Sequence, residues 1–332
     1  MIRFEDGQFE IAVATYKRPE YVKIWLEKCY AQCVERNIKI SIYDSSPDRK
    51  TESIVQSFIE INHAEIVYHH VDEKTIIGYK PMIPLLETKA EYLWISGDSR
   101  YHHFDELDEK VFPYIINRSV DYICFNVPSN YSLPDRIYDD KAQMIHDVFI
   151  PSTCIGLSIF RMSVFAPIKN NGALLQKFDT LFKDNYGFSW LGYFYNMYAI
   201  GDYKTLLANV EILSILDKPK KQSWSVRFYG CWVDDLCQII DHIPETYQNK
   251  NMIPKNTWRI MRLEAVPYCY NARKHGDLNK KKLKEMTQNG QIDRITDHPG
   301  RIKFFATAPM VFVELANVLF RVYSRVEKII KR

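Results

Sequence analysis

Short apolar runs rich in β-branched residues alternate with amphipathic stretches along the first hundred residues. The apolar runs cover residues 9–14, 38–43, 65–69 and 92–95, and each run predicts a buried strand. Between the runs, apolar residues recur at every third or fourth position, as in the helix that is predicted to begin at Pro19. This alternation predicts an α/β fold with a mostly parallel sheet and helices on both of its faces.

The pattern changes after residue 100. Two further strands are predicted at 121–126 and 153–160, and an aromatic helix is predicted at 188–199. Beyond about residue 210 the pattern is mainly helical. We therefore predict a sheet domain over 1–210 and a helical extension that continues over 211–300.

The last segment, 301–332, predicts a basic amphipathic helix. From Val311 to Ile329 the apolar residues step by three or four positions, and polar residues form the opposite stripe. The uncharged run is too short for a membrane span. Three interpretations are open: contact with an anionic membrane surface, contact with a second copy in a homo-oligomer, or packing on its own domain.

Charge is distributed unevenly, which changes how this segment is interpreted. The 332-residue chain has a net charge of +3, but residues 255–332 hold 17 Lys and Arg against 7 Asp and Glu, a net of +10. The remainder therefore carries −7, which argues against nucleic-acid binding over the whole surface. The seven cysteines lack metal-site spacing and the first residues are polar, so we expect reduced thiols and a cytoplasmic protein.

Glycine is scarce, which excludes some kinds of nucleotide site. Only 12 glycines occur, and no two of them are separated by a single residue. The glycine-rich dinucleotide fingerprint and the glycine-rich phosphate loop are therefore both absent. Any nucleotide must be bound without a glycine cradle.

Polar clusters follow three of the predicted strands, at residues 15–18, 44–48 and 96–100. Ligands of open α/β sheets bind beyond the carboxyl ends of the strands. Because three neighbouring strands end in polar clusters, the sequence predicts a binding site at this edge of the sheet.

The residues in these clusters also resemble a known family. Three segments, AVATYKRPEY, Ile42-Tyr-Asp-Ser-Ser-Pro-Asp48 and EYLWISGDSRY, resemble, in order and spacing, three motifs of the family 2 glycosyltransferases found in bacterial capsule and surface-polysaccharide synthesis. The resemblance implies a GT-A-like, Rossmann-related domain. It also implies inverting transfer of a sugar from a nucleotide-diphosphate donor, with a UDP-sugar favoured, to a glycan or lipid-linked acceptor. A lipid-linked acceptor would place the enzyme peripherally on the inner face of the cell membrane.

The resemblance assigns a metal role to one carboxylate. Asp98 matches the family's metal-binding position, which implies Mn²⁺ or Mg²⁺ as a cofactor. Ser96 and Ser99 stand where the family often has further aspartates. As an alternative, Arg100 supplies part of the positive charge that the departing diphosphate requires.

The resemblance also assigns donor contacts. Asp44 would accept a hydrogen bond from the base or ribose, although an aspartate followed by two serines and a proline is by itself also typical of an Asx turn. Thr15, Tyr16 and Arg18 would line the base and diphosphate site, with the Tyr16 ring as a stacking surface. Lys80 would reach the donor phosphates, or alternatively is a solvated lysine.

Inverting transfer requires a general base for the acceptor hydroxyl. The matching stretch, residues 178–194, lacks the Glu-Asp pair that is common in the family. Asp184 is the first candidate and Asp179 the second, with helix capping as the alternative role for each. Asp234 and Asp235 are the rival carboxylates.

Two other functions stay open at this point. A non-catalytic GT-A-like module that binds glycan or acts as a scaffold is favoured by the reduced carboxylate cluster. The donor-contact residues named above count against it. A nucleotidyltransferase that makes the sugar nucleotide would need a glycine-rich basic loop near the N-terminus, and this sequence has none.

Overall fold

The computed structural model describes residues 1–126, 133–215 and 227–330. The chain forms two compact units, the first from residues 1–220 and 242–248 and the second from residues 221–241 and 249–332. The predicted division at residues 210 and 300 stays a prediction.

The first unit is built on an eight-stranded sheet with a separate two-stranded ribbon, counted over its described residues. Its strands are β1 (Phe9–Thr15), β2 (Lys39–Asp44), β3 (Ile66–His70), β4 (Tyr92–Gly97), β5 (Arg100–Tyr101), β6 (Tyr122–Phe125), β7 (Arg136–Tyr138), β8 (Ser158–Arg161), β9 (Thr205–Ala208) and β10 (Leu213–Ser214). The order in the sheet is β3-β2-β1-β4-β8-β6-β9-β7, and β5 pairs with β10.

Most strands of the large sheet run in one direction. Strand β8 is antiparallel to both β4 and β6, and β7 is antiparallel to β9, while the other neighbouring pairs are parallel. The prediction of a mostly parallel sheet is therefore confirmed. The strand predicted at 153–160 is wrong in its first half, where a 3-10 turn covers Ile155–Leu157.

The helices of the first unit connect and cover these strands. Those in its described residues are α1 (Pro19–Glu35), α2 (Lys50–Asn62), α3 (Met82–Glu87), α4 (Phe104–Lys110), α5 (Phe112–Ile116), α6 (Lys141–Ser152), α7 (Ala166–Lys169), α8 (Gly172–Phe182) and α9 (Ser189–Tyr198). Helix α1 begins at Pro19 as predicted, because the fixed φ of proline suits the first helical position. Its face of Val22, Leu26, Cys29 and Cys33 is buried in the core.

The centre of the sheet consists of strands that are buried on both faces. Residues 9–13 of β1 and 92–96 of β4 are all buried. Strands covered on both faces have continuous apolar runs rather than alternating patterns, which is why these two strands could be predicted from sequence. The burial removes the middle of the sheet from water.

The second unit is helical in the part of the chain that the structure describes. A π-helical turn at Gly230–Asp235 leads into α10 (Leu236–His242), followed by α11 (Ile253–Met261), α12 (Val266–Lys274), α13 (Lys280–Gln288), α14 (Gln291–Ile295), α15 (Pro299–Thr307) and α16 (Met310–Ile330). Trp258 is buried at the centre of this unit, and its indole N–H donates to the carbonyl of Trp232 at 2.8 Å. The predicted C-terminal helical region is confirmed.

Segment 301–332 is interrupted at Pro309. Helix α15 ends at Thr307 and α16 begins at Met310, because proline cannot continue the hydrogen bonding of the preceding helix. Among the described helices, none combines the length and the apolar character that a membrane span requires.

One glycine in the first unit holds two loops in close contact. A Cβ atom built on Gly78 would lie 2.6 Å from the carbonyl oxygens of both Asn185 and Tyr186. The Gly78 carbonyl in turn accepts a hydrogen bond from the backbone N–H of Trp190, at 3.3 Å.

We therefore expect Gly78→Ala to destabilise the protein by about 1–3 kcal/mol, since backbone atoms cannot move aside as a flexible side chain can. Urea unfolding of the full chain measures the change. Gly172→Ala is the matched control, because a Cβ at Gly172 meets no atom within 4 Å. Equal stability of the two variants would contradict the proposed contact.

Candidate functional site

Strand register brings the three polar clusters to one edge of the sheet. Strand β1 lies between β2 and β4, with Thr15 opposite Asp44 and Ala14 opposite Gly97. Because Asp98 directly follows Gly97, its side chain reaches the end of β1. The three polar clusters therefore lie next to one another at the carboxyl ends of β2, β1 and β4.

Asp98 is the centre of the cluster. The Thr15 hydroxyl donates to Asp98 Oδ2 at 2.7 Å, and Arg18 Nη1 donates to Asp98 Oδ1 at 3.2 Å. Asp98 is only 3% exposed. Burial raises the pKa of its carboxyl, while the Thr15 and Arg18 contacts act in the opposite direction. The carboxylate is therefore held in place by a hydroxyl and a guanidinium at an otherwise unfavourable position.

Asp44 is also buried, and it organises the loop after β2. Its Oδ1 accepts hydrogen bonds from the backbone N–H of Ser46 at 2.8 Å and from the Ser46 hydroxyl at 2.5 Å. Tyr68 donates to Oδ2 at 2.9 Å. The Asx turn that the sequence offered as an alternative is thus formed, and the contact of Asp44 with a donor stays a prediction.

The loop after β1 contains a strained residue. Lys17 has φ of +53°, a left-handed conformation that is uncommon for residues other than glycine. Its backbone N–H donates to the Ser46 hydroxyl at 2.7 Å, which links this loop to Asp44. Backbone strain of this kind concentrates at functional sites, where the surrounding structure maintains it.

Cations and an exposed aromatic ring stand beside the carboxylates. Tyr16 is 47% exposed, and the ammonium groups of Lys17 and Lys80 lie 5.0 and 5.1 Å from the centre of its ring. Lys80 donates to the Ser45 hydroxyl at 2.7 Å, and burial lowers the pKa of its ammonium. Together with Arg18, these groups supply positive charge and a flat stacking surface.

Arg100 belongs to the short two-stranded ribbon that follows β4. It lies in β5, where it is opposite Ser214 of β10, and its side chain is exposed. The guanidinium paired with Asp98 belongs to Arg18 instead. The short β5–β10 ribbon was not visible in the sequence pattern. That Arg100 supplies positive charge to the departing diphosphate stays a prediction. A donor contact of Arg100 stays a prediction.

The ligand set fits a metal ion only in part. In residues 1–126, 133–215 and 227–330, no group of three or more His, Cys, Asp or Glu side chains could hold an ion. Asp98 supplies a single carboxylate, and its two oxygens already accept hydrogen bonds from Thr15 and Arg18. Mg²⁺ and similar ions are often bound through one or two carboxylates and substrate phosphates. The site therefore fits an ion shared with a bound diphosphate, not one held by the protein alone.

The two candidate bases differ in environment. Asp179, on α8, accepts hydrogen bonds from Tyr193 at 2.6 Å and from Tyr79 at 3.5 Å. Burial raises the pKa of Tyr79 to about 12, so this phenol stays a donor at neutral pH. Asp184 lies in the loop after α8 and is exposed. Tyr79 directly precedes Lys80, so the loop that reaches the donor edge also contacts Asp179.

The rival carboxylates are engaged within the second unit. Lys282 donates to Asp234, and Arg227 forms an ion pair with Asp235 at 3.7 Å. Both aspartates belong to the π-helical turn, where the ion pairs tie it to neighbouring segments. Both residues therefore make structural contacts, and a role for either as the general base stays a prediction.

Several residues of this edge were not singled out from the sequence. Four residues form the hydrogen bonds described above with the predicted site residues or with one another: Lys17, Ser45, Ser46 and Tyr68. The two serines and Lys17 lie inside the polar clusters, so their position was a signal. Tyr68 lies in the middle of a strand, and only the pairing of β3 with β2 brings its hydroxyl to Asp44.

The cavity at this edge of the sheet is small. A cavity of about 30 Å³ next to Thr15, Ser45 and Lys80 has space for little more than one water molecule. A groove of about 770 Å³ lies between α1 and α2, with Tyr30, Phe58 and Ile61 in its lining. We place the candidate site at the carboxyl edge of the sheet because the strained loop and the hydrogen-bonded carboxylates of Asp44 and Asp98 lie there.

Comparison with known proteins identifies the fold. No protein-family model and no curated protein sequence matches the chain. Among solved structures, TarS from S. aureus, residues 1–349, has a TM-score of 0.52 at 13% identity, covering 90% of this chain and 91% of that chain. Its complex with UDP gives a TM-score of 0.53 at 12% identity, with the same coverage.

A second protein gives the same result. The mannosyltransferase PcManGT from Pyrobaculum calidifontis, in complex with GDP-Man and Mn²⁺, has a TM-score of 0.51 at 13% identity. The alignment covers 88% of this chain and 79% of that chain. Both neighbours are GT-A-type glycosyltransferases. The chain has the GT-A fold. The GT-A-like fold that the sequence motifs implied is thus confirmed.

The buried Asp98 carboxylate of this GT-A edge predicts a specific pH dependence. Folding raises the pKa of Asp98 above its ordinary value of 3.8. At pH values between these two pKa values, the native state therefore binds a proton on Asp98 that the unfolded state has released. Stability from this group is therefore full below 3.8 and falls as pH rises through the raised pKa.

Asp98→Asn removes the titration and retains an oxygen that accepts from Thr15. We expect the variant to gain stability relative to the parent as pH increases from about 4 to about 7. Urea unfolding at several pH values measures this difference. Asp108→Asn is the control, since Asp108 also pairs with an arginine, Arg36, and the pKa of its carboxyl is lowered instead. The same pH trend in both variants would contradict the assignment.

Proposed function

We propose that the protein is a glycosyltransferase that moves a sugar from a nucleotide-diphosphate donor to a glycan or lipid-linked acceptor. We propose inverting transfer, a UDP-sugar as donor, and a role in bacterial surface-polysaccharide or glycoconjugate synthesis. The observation that carries the proposal is the Thr15–Asp98–Arg18 cluster, with Lys17 and Lys80 beside it, at the carboxyl edge of a GT-A sheet.

The charges of this edge suit a nucleoside diphosphate. A diphosphate leaving group carries several negative charges, which Arg18, Lys17 and Lys80 can neutralise through charge-assisted hydrogen bonds. Tyr16 offers an exposed ring for the base, and Thr15 keeps the carboxylate oriented. The neighbours crystallised with UDP and with GDP-Man support a donor of this class.

Asp98 is the residue that would hold a divalent ion, Mn²⁺ or Mg²⁺. Such an ion would neutralise charge on the departing diphosphate. Because Arg18 and Thr15 occupy both oxygens of Asp98, we expect the protein without nucleotide to bind the ion weakly. The Mn²⁺ in the PcManGT complex supports a divalent ion as the cofactor.

Asp184 is the proposed general base. In the transfer, the acceptor hydroxyl oxygen forms a bond to the anomeric carbon on the face opposite the donor phosphate. The bond to the diphosphate breaks, its electron pair leaves with the nucleoside diphosphate, and the hydroxyl proton passes to a carboxylate. We favour Asp184 over Asp179, since Asp184 is exposed, whereas Oδ1 of Asp179 already accepts hydrogen bonds from two tyrosines.

The second candidate function is a non-catalytic glycan-binding or scaffolding module of the same fold. It is favoured by the absence of a Glu-Asp pair between residues 178 and 194 and by the single carboxylate at Asp98. A module of this kind would bind glycan without any effect of nucleotide, which separates the two candidates experimentally.

Nucleotide binding gives the first test. We expect UDP with Mn²⁺ to raise the melting temperature of the full chain, and Mn²⁺ alone to raise it little or not at all, since the ion requires the donor phosphates. Asp98→Asn should lose most of the shift. Asp108→Asn should keep it, because Asp108 pairs with Arg36, which follows α1 and precedes the amino end of β2, whereas the proposed site lies at the carboxyl end of that strand.

Titrations with GDP and ADP in the same format establish which base is preferred. An unchanged melting temperature with every nucleotide, with or without Mn²⁺, would exclude the enzyme and leave the module. A shift that persists in Asp98→Asn would move the metal-binding role to other residues.

The base is tested by turnover. Once a UDP-sugar that shifts the melting temperature is found, Asp184→Asn should lower kcat about 10²–10⁴-fold and leave UDP binding unchanged. Asp179→Asn should have a smaller effect on kcat and should lower stability, because it weakens the contacts with Tyr79 and Tyr193. Proton NMR of the product gives the anomeric configuration. The reverse order of the two variants would assign the base to Asp179.

A further inference from the structure

Helix α16 has one covered face and one uncovered apolar face. Val313 and Asn317 are buried, and the helix packs on α12 of the same unit. Eight other apolar side chains are between 47% and 65% exposed. They are Val311, Phe312, Leu315, Val318, Leu319, Val322, Tyr323 and Val326.

These eight side chains form one continuous surface, which we call the α16 apolar face. At 100° per residue they cover about 140° of the helix circumference, along roughly 24 Å of its length. Surfaces of this size are rarely exposed to water in a monomeric protein and mark contact with another apolar phase.

Basic residues border this face. Arg321 and Arg325 lie along one of its edges and are exposed, with Glu314 as the acidic residue on the same edge. In the preceding helix α15, Arg301 and Lys303 are exposed, although Arg301 forms an ion pair with Glu264 at 3.6 Å, and Phe304 is 43% exposed. Residues 255–332 as a whole carry a net charge of +10.

We propose that the α16 apolar face inserts into the surface of an anionic phospholipid bilayer, with Arg321 and Arg325 at the level of the phosphate groups. Apolar side chains then enter the acyl boundary, and the arginines keep their charged ends in the headgroup layer. Charge complementarity favours this occupant, because the basic edge attracts anionic headgroups.

A second copy of the chain fits this face less well. Phe312, Leu315, Leu319, Val322 and Val326 could form the seam of a two-helix coiled coil. However, the positions that flank such a seam normally carry opposite charges, and here Val311, Ala316, Val318 and Tyr323 occupy most of them. Two copies would also bring together two units of high positive charge, which repel each other.

Co-sedimentation of the full chain with vesicles tests the proposal. We expect binding to vesicles of phosphatidylcholine with about 30% phosphatidylglycerol and at least roughly tenfold weaker binding to pure phosphatidylcholine, both at about 0.1 M salt. Arg321→Gln with Arg325→Gln should weaken binding to the anionic vesicles by about thirtyfold, at about 1 kcal/mol for each lost charge. Val322→Glu should weaken binding to both kinds of vesicle.

Ile61→Glu is the matched control. Ile61 is 78% exposed on α2 of the first unit, so the change adds the same charge to an exposed aliphatic position outside the α16 apolar face. Vesicle binding of this variant should equal that of the parent. Because both substituted side chains are exposed, both variants should also melt at the parent temperature, which excludes misfolding.

Light scattering of the lipid-free protein decides between the bilayer and a second copy. Reversible vesicle binding by a monomer, lost in Val322→Glu and kept in Ile61→Glu, supports the proposal. Equal sedimentation with and without anionic vesicles overturns it. A stable dimer that Val322→Glu dissociates also overturns it and assigns the face to a second copy of the chain. UDP binding is independent of all these outcomes.

Discussion

The carboxylate of Asp98 holds together the edge of the sheet on which the proposed activity depends. Thr15 at the end of β1 and Arg18 at the entry to α1 both donate to it, so one buried group connects two neighbouring strands and a helix start. Burial opposes its charge and raises its pKa, and the two donors offset only part of that penalty. A protein selected for stability alone would have little use for a carboxylate at this position, which is why we interpret it as functional.

The residues around Asp98 extend the same constraint. Lys17 keeps a left-handed backbone conformation because its N–H is bound by Ser46, and Ser46 is bound in turn by Asp44. The result is a loop whose cations are presented at a defined place before any ligand arrives. Preorganised positive charge at the position of a leaving group is an effective form of electrostatic stabilisation, since little reorganisation is needed during the reaction.

The extent to which the sequence predicted this arrangement follows from physical differences among its segments. Strands β1 and β4 are buried on both faces, so their apolar runs identified these strands, and their polar ends predicted where the candidate site lies. The short β5, β7 and β10 have two or three residues each, too few for a periodic pattern. The position of Arg100 was therefore out of reach, and so was the Tyr68–Asp44 contact, which depends on strand pairing rather than on any local motif. The ion pairs that Asp234 and Asp235 form from the π-helical turn could likewise not be predicted from the sequence.

The account depends most directly on where a nucleotide binds. A crystal structure of the full chain with UDP and Mn²⁺ measures this. We predict that the diphosphate lies beside Arg18 and Lys80 at the carboxyl edge of β1, β2 and β4, and that the ion contacts both Asp98 and a phosphate oxygen. A nucleotide bound elsewhere on the protein, with Asp98 still paired with Arg18 and Thr15, would contradict the account.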